Sequence, residues 1–351
     1  MEAGSRKKIQ AESSAMIKEF PDFAGMLLSL TPEGIFRVER QHVWCGTVGR
    51  LKDGRSFMIY SFWPEVLGFD AWVTHSDLGI AVSENCIGPY RSLGRLFKEG
   101  GCRPQVRHNP SLLAWGDEWF LYFTGNSGPL HEAGTKGDIS MRNPDWWVHR
   151  NHQRVWLART KNPLGDWEVG SEPAFPPEPG FVMTATPFCF ERDDGSVQAV
   201  IKTVREGGTP RGGGVTHLSY RAAHPGGPFK RVGESLLKGT RTDFPVDDHC
   251  EFFYRGKYYA VVKDHGECLT EHGIALILLE SEDGLDWTVA PNPLVKTFEL
   301  PTKSGEVERY ERLEMPRVVF VDGEPRALQL SAYRGDESPA FNLRLELVPP
   351  D

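Results

Sequence analysis

Asp53-Gly54-Arg55-Ser56-Phe57-Met58-Ile59-Tyr60 reads as a tight turn opening into an apolar, β-rich strand, and the same phrase returns four more times. It recurs as Gly116-Asp117-Glu118-Trp119-Phe120-Leu121-Tyr122-Phe123 and as Asp194-Gly195 running through Val200-Ile201-Lys202. It recurs again as Arg255-Gly256 running through Val261-Val262-Lys263 and as Asp322-Gly323 running through Gln329-Leu330-Ser331. The turn glycines Gly54, Gly116, Gly195, Gly256 and Gly323 stand 62, 79, 61 and 67 residues apart. A second phrase follows the first four hairpins: a short strand, a glycine turn and an aromatic plug. Its copies are Ala81–Ser83 with Gly88-Pro89-Tyr90, Leu157–Arg159 with Gly165-Asp166-Trp167, Leu218–Tyr220 with Gly227-Pro228-Phe229, and Leu279–Ser281 with Gly284 and Trp287.

A repeat of hairpin, third strand and anchored turn is what a four-stranded propeller blade needs, because each sheet must pack both faces against its neighbours. Five units predict an all-β, five-bladed β-propeller with four-stranded antiparallel blades over residues 41–345. The approximate blades are 42–100, 105–175, 180–235, 245–295 and 310–345. Residues 1–40 read as an N-terminal extension with a short helix and a ring-closing segment, and residues 346–351 as a C-terminal tail. A β-sandwich or two smaller β domains accommodate five similar hairpins at one long period poorly. Segment 126–152 is a long insertion in blade two, rich in Gly, Asn, His and Trp, and is expected to form a lid or rim wall.

Composition narrows the function classes. With 351 residues, 37 Gly, 26 Pro and 25% charged residues, the chain is neither a coiled coil nor disordered. A net charge of −8 argues against a broad nucleic-acid face, and Arg6-Lys7-Lys8 reads as part of a solvated tail. Six scattered cysteines form no close pair, which predicts reduced, mostly buried thiols rather than a zinc motif. No apolar run reaches membrane-spanning length and no export signal is recognisable, so a cytoplasmic protein without a membrane partner is expected. Arg211-Gly212-Gly213-Gly214 leads into a strand rather than a helix, which disfavours a phosphate loop. Serine-hydrolase, zinc-protease and EF-hand motifs are missing too.

The first strand of every propeller blade lines the central channel, so polar residues opening those strands converge on one face. The five openings are Gln41-His42-Val43-Trp44-Cys45, Arg107-His108-Asn109-Pro110, Met183-Thr184-Ala185-Thr186-Pro187, Asp247-Asp248-His249-Cys250-Glu251 and Glu314-Met315-Pro316-Arg317. Adjacent acids before an aromatic strand have no packing purpose, so Asp247 and Asp248 lead the catalytic candidates, with a turn cap as the bland alternative. Glu251 is the inward residue in the alternative register. Glu314, held on an extended segment by Pro316, is the second member of an acid/base pair, with a surface ion pair as its bland alternative. His42, Trp44, His108 and Asn109 are candidates for substrate contact, against the rival role of satisfied structural groups. Trp63, Asp70, Trp72 and His75 are expected to form one sugar-binding wall, and Trp146, Trp147, His149 and His152 a second. Lys202, Arg205, Arg211, Lys263, Asp264, His265 and Arg317 would suit a uronate or sulfated sugar. No cofactor is required by the sequence. A divalent cation in the central channel is compatible with the eleven histidines, although no spacing announces one.

The run from His42-Val43-Trp44-Cys45-Gly46 through Ser61-Phe62-Trp63-Pro64, Ala71–Ser76 and His108-Asn109-Pro110 resembles bacterial proteins grouped with the five-bladed propeller glycoside hydrolases, the assemblage around families 43, 32 and 117. The resemblance spans about residues 40 to 335. It implies an active site in a funnel at one end of the channel, with an Asp general base from blade one and a second Asp tuning a pKa. A Glu, or a His in family 117, would be the general acid. Here the blade-one Asp is replaced by Gln41-His42-Val43-Trp44, which leaves Asp70, Asp247 or Asp248 as base and makes His108 or His75 conceivable as acid. The resulting expectation is a glycoside hydrolase, exo-acting on a short oligosaccharide of anhydro-, acidic or sulfated sugar by general acid/base cleavage in the central funnel, with phosphorolysis as a variant. The alternatives are a lyase acting on a uronate by β-elimination and a non-catalytic glycan-binding propeller. The expected partners are an oligosaccharide substrate and a second copy of the chain in a homodimer.

Overall fold

The computed structural model describes residues 22–126, 139–208, 210–234, 236–237, 242, 244–266 and 269–348. Five four-stranded antiparallel sheets stand around a central axis, each running outward from a long inner strand. The inner strands are Gln41–Arg50, Val106–Trp115, Phe181–Glu191, Val246–Tyr254 and Arg312–Val321. In every blade the hairpin glycine read from the sequence joins the inner strand to the second, and all five have positive φ, from 60° at Gly116 to 93° at Gly54. A side chain would meet nothing at these positions, so backbone conformation alone calls for glycine there.

Blade five takes its outermost strand from the other end of the chain. Ile35–Phe36 pairs antiparallel with Phe341–Glu346, which closes the ring between the two ends. Phe23, Met26 and Leu30 pack beside that closure against Leu343, Leu345 and Leu347. The short helix expected within residues 1–20 lies outside the described residues, which contain instead a one-turn helix at Phe23–Met26.

The core lies between blades. Phe57, Ile59 and Leu78 of blade one meet Leu121, Phe123 and Trp156 of blade two, and equivalent layers fill the other gaps. Each such side chain contributes about 1.5–3 kcal/mol on burial. The aromatic plugs Tyr90, Trp167 and Trp287 are buried as well. The blade-two insertion carries the helix Pro144–Asn151, capped by the Asn143 side chain, and lengthens the interval between the second and third hairpin glycines. Residues 127–138 of that insertion lie outside the described part. No helix among the described residues is long and apolar enough to cross a membrane.

Candidate active site

Each inner strand breaks its ladder at the same place. Register shifts fall between Trp44 and Thr47, His108 and Ser111, Ala185 and Phe188, Asp247 and Cys250, and Glu314 and Arg317. The bulged residues are Cys45, Asn109, Thr186, Asp248 and Met315, one per blade, all left-handed with φ between 43° and 55°. Left-handed backbone in five non-glycine residues is a cost that the surrounding ring must hold in place. The bulges turn these residues toward the channel mouth. There Cys45 Sγ donates to Asn109 Oδ1 at 3.0 Å, and Asn109 Nδ2 donates to Thr186 Oγ1 at 2.8 Å.

A second five-fold position explains the charges. Ser61, Thr124, Lys202, Lys263 and Ser331 stand seven or eight residues after their hairpin glycines, and each pairs in its own blade with the residue before the bulge. Each also reaches the next blade. The hydroxyls of Ser61, Thr124 and Ser331 accept from the bulge N–H groups of Asn109, Thr186 and Cys45, at 3.2, 2.9 and 2.7 Å. In blades three and four lysines replace the hydroxyls and find carboxylates. Lys202 Nζ lies 2.8 and 2.7 Å from the two oxygens of Asp247, and Lys263 Nζ lies 2.6 Å from Glu314 Oε1 and 3.6 Å from Asp248 Oδ2. Asp247 and Glu314 thus occupy equivalent positions in successive blades, with Asp248 on the bulge between them.

These groups floor a cavity of about 590 Å³, within the range of small-molecule sites. Trp44, Trp72, Trp146 and Trp147 line it, together with Asn109, Lys202, Arg211, Lys263 and His265. Burial raises the pKa of Asp248 and the Asp247 charge raises it further; Lys263 opposes them, and the result is a value of about 7. Burial would also raise Asp247, but Lys202 and Lys263 hold it well below the usual carboxylate range. Burial alone would discharge Lys263, whereas Glu314, Asp248 and Asp247 keep it firmly protonated. Near neutral pH, the cavity floor therefore places a carboxylic acid beside a lysine-paired carboxylate.

Several sequence candidates sit elsewhere, and the reasons are physical. His108 is buried, with Nδ1 3.1 Å from Ser76 Oγ and Nε2 3.0 Å from Gln153 Nε2, and burial lowers its pKa to about 3. It touches the cavity as a neutral, fully engaged ring rather than as an acid. His42 does not line the cavity; it stacks on Trp63, accepts from Ala340 N at 3.0 Å, and burial lowers its pKa to about 4. Trp63 reaches the cavity with 1% of its surface exposed, so it backs the wall. Asp70 lies outside the cavity and anchors the insertion instead: its side chain accepts from Met141 N at 3.1 Å and its carbonyl from Trp146 Nε1 at 2.9 Å. His75 is not among the residues that line the cavity, and its Nδ1 lies 2.8 Å from Thr74 Oγ1. Glu251 lies farther along its inner strand, 3.0 Å from His249 Nδ1 within the channel. Arg317 is buried there too, donating to the carbonyls of His249 and Pro316. Among the described residues no three His, Cys, Asp or Glu side chains gather in a way that could hold a metal ion.

Sequence reading missed Arg150, Gln153 and Arg312 on the cavity wall. Arg312 lies 3.6 Å from Glu314 and opens the last inner strand, so extending the five strand openings by two residues would have found it. Arg150 sits on a helix inserted into the repeat, where five-fold alignment gives no guide.

No protein-family model matches the sequence, and no curated protein sequence does. Solved structures do match. Zg3597, a family 117 glycoside hydrolase of the marine bacterium Zobellia galactanivorans, superposes with a TM-score of 0.58 at 14% identity, covering 93% of this chain and 91% of that one. A thermostable family-43 glycoside hydrolase gives 0.57 at 12% identity, covering 92% and 94%. An α-L-arabinofuranosidase from Lactobacillus brevis gives 0.53 at 13%, covering 92% and 94%. At these identities the likeness is one of fold: the chain is a five-bladed propeller of the kind found in those glycoside hydrolases.

Proposed function

We propose that the chain is a glycoside hydrolase acting on the end of a short oligosaccharide, with Asp248 as general acid and Glu314 as general base. The observation that carries this reading is the unequal pair of carboxyl groups on the cavity floor. Burial and the neighbouring Asp247 charge keep a proton on Asp248 up to about pH 7, while Lys263 holds Glu314 as its ion-pair partner. Asp248 gives its proton to the glycosidic oxygen as the bond to the anomeric carbon breaks. Water adds to that carbon and passes a proton to the Glu314 carboxylate. Lys202, through Asp247, fixes the charge that tunes Asp248. Tryptophans on the walls offer faces to the C–H surface of a sugar ring, and the blade-two helix closes one side, which favours a chain end over the middle of a polymer.

The test is product detection on a panel of neutral, anhydro-, sulfated and uronate oligosaccharides, by mass spectrometry and ultraviolet absorbance, with and without a chelator. Products that together gain one water support the reading. An ultraviolet-absorbing unsaturated product without water would replace it with β-elimination. Bound but unconverted sugar across the panel would leave a glycan-binding propeller.

A further inference from the structure

We propose that Arg150 and Arg211 form an oxyanion-binding subsite in the cavity, which selects a sugar bearing a carboxylate or sulfate ester. This rests on the cavity being a saccharide site. Five cationic side chains line it, Arg150, Lys202, Arg211, Lys263 and Arg312, against the acids Asp247, Asp248 and Glu314. Lys202 is spent on Asp247, and Lys263 and Arg312 on Glu314. Arg150 and Arg211 have no carboxylate within ion-pair distance among the described residues, and they are the surplus.

Their placement is built rather than incidental. The guanidinium carbons of both lie over the ring of Trp147, at 5.1 Å for Arg150 and 4.5 Å for Arg211, which orients two planar forks on one aromatic platform. Arg150 donates to the carbonyl of Arg211, and Asn151 Nδ2 donates to that of Pro210 at 2.8 Å, so the blade-two helix clasps the glycine-rich loop of blade three. Gly212 makes that loop possible: its φ is +87°, and a Cβ there would stand 2.6 Å from Val204 Cγ1. Arg150 is partly buried, and its Nη1 also donates to Met183 Sδ at 3.4 Å, which fixes the guanidinium on the cavity wall. Burial and the Arg211 charge lower its pKa to about 10. Two like charges held together over an aromatic face, with no carboxylate paired to either among the described residues, suit an oxyanion that accepts from both. A carboxylate and a sulfate ester present the same chemistry to such a pair, and the experiment separates them.

Calorimetric binding at low ionic strength would compare a digalacturonate and a monosulfated galactose disaccharide with their carboxyl-reduced and desulfated counterparts. The expected result is that one acidic ligand binds about tenfold or more tightly than its neutral counterpart, with the preferred pair telling carboxylate from sulfate. The preference should shrink with added salt and collapse toward unity in Arg211→Gln, an exposed position where folding is preserved. Arg150→Gln, checked for an unchanged melting curve, should reduce it as well. Equal binding of acidic and neutral ligands, no binding of either acidic one, or a preference that survives both substitutions would overturn the proposal. Arginine-dependent preference without turnover would uphold this subsite while sinking the hydrolase reading. Hydrolysis of neutral sugar without acidic preference would do the reverse.

Discussion

The proton on Asp248 is governed first by burial and then by four charged neighbours, Asp247, Lys263, Glu314 and Lys202, so its chemistry can be moved without touching it. Its folded pKa, about 7, lies above its ordinary value of 3.8. As a general acid it should give a turnover profile whose alkaline limb falls near pH 7. Lys263→Met removes the cation that opposes burial there, so that limb should move to higher pH; a limb that stays put or moves down would remove Lys263 from control of the proton. Asp248→Asn and Glu314→Gln should each lower turnover about 10²–10⁴-fold, measured by initial rates on the substrate found in the panel. Stability carries a separate signature. Between about pH 4 and 7 the native state holds a proton on Asp248 that the unfolded chain has released, so this group's contribution falls as pH rises through that window. Asp247 has the opposite sign: its depressed pKa gives stability above its ordinary value that is lost as pH falls. Asp248→Asn should therefore lose less melting temperature than the wild type between pH 5 and 8, a difference read by thermal scans. The adjacent acids were legible in the sequence because nothing apolar explains them. Their lysine partners were legible only as residue types, since no local pattern shows that a strand reaches across to the following blade.

Hairpins, bulges and the inserted helix differ in how much of themselves they write into sequence. A hairpin needs glycine at its turn and apolar residues on both sides, so all five could be read directly. A bulge needs only a missing ladder bond, and here proline marks it in three blades, at Pro110, Pro187 and Pro316, while Gly46 and His249 stand in the other two. Those prolines stand at the interruption, where their missing N–H costs nothing. The helix Pro144–Asn151 belongs to no repeat, so its length and its Trp pair suggested a wall without saying which side chains would face inward. Trp72 is where the helix and blade one meet: its ring lies edge-on to His108 at 5.0 Å and to Trp146 at 5.2 Å, partly exposed to the cavity. If it is a sugar platform, Trp72→Ala should weaken saccharide binding by about 1 kcal/mol, and calorimetry showing unchanged affinity would leave it as packing only.

At the scale of the ring, the fold was legible because five copies of one phrase specify five blades, while the closure depends on contacts between segments three hundred residues apart. Arg344 carries much of that closure. It is 1% exposed on blade five's third strand, and it donates to the carbonyl of Gly34 at 2.9 Å, to that of Ile87 at 2.6 Å and to Gln329 Oε1 at 2.9 Å. Its guanidinium also lies 4.5 Å from the ring centroid of Tyr90, the aromatic plug of blade one. One side chain thus ties the N-terminal segment, blade one and blade five together, with burial lowering its pKa to about 10. Arg344→Met keeps most of the apolar stem but leaves the carbonyls of Gly34 and Ile87 and the Gln329 side chain without their donor, which should cost about 2–5 kcal/mol. Because the lost bonds join the first and last blades, the variant should also unfold less cooperatively, with Trp fluorescence and far-ultraviolet dichroism separating along a urea titration. Coincident transitions at wild-type midpoints would show that the apolar contacts around Phe23, Met26 and Leu30 close the ring without Arg344.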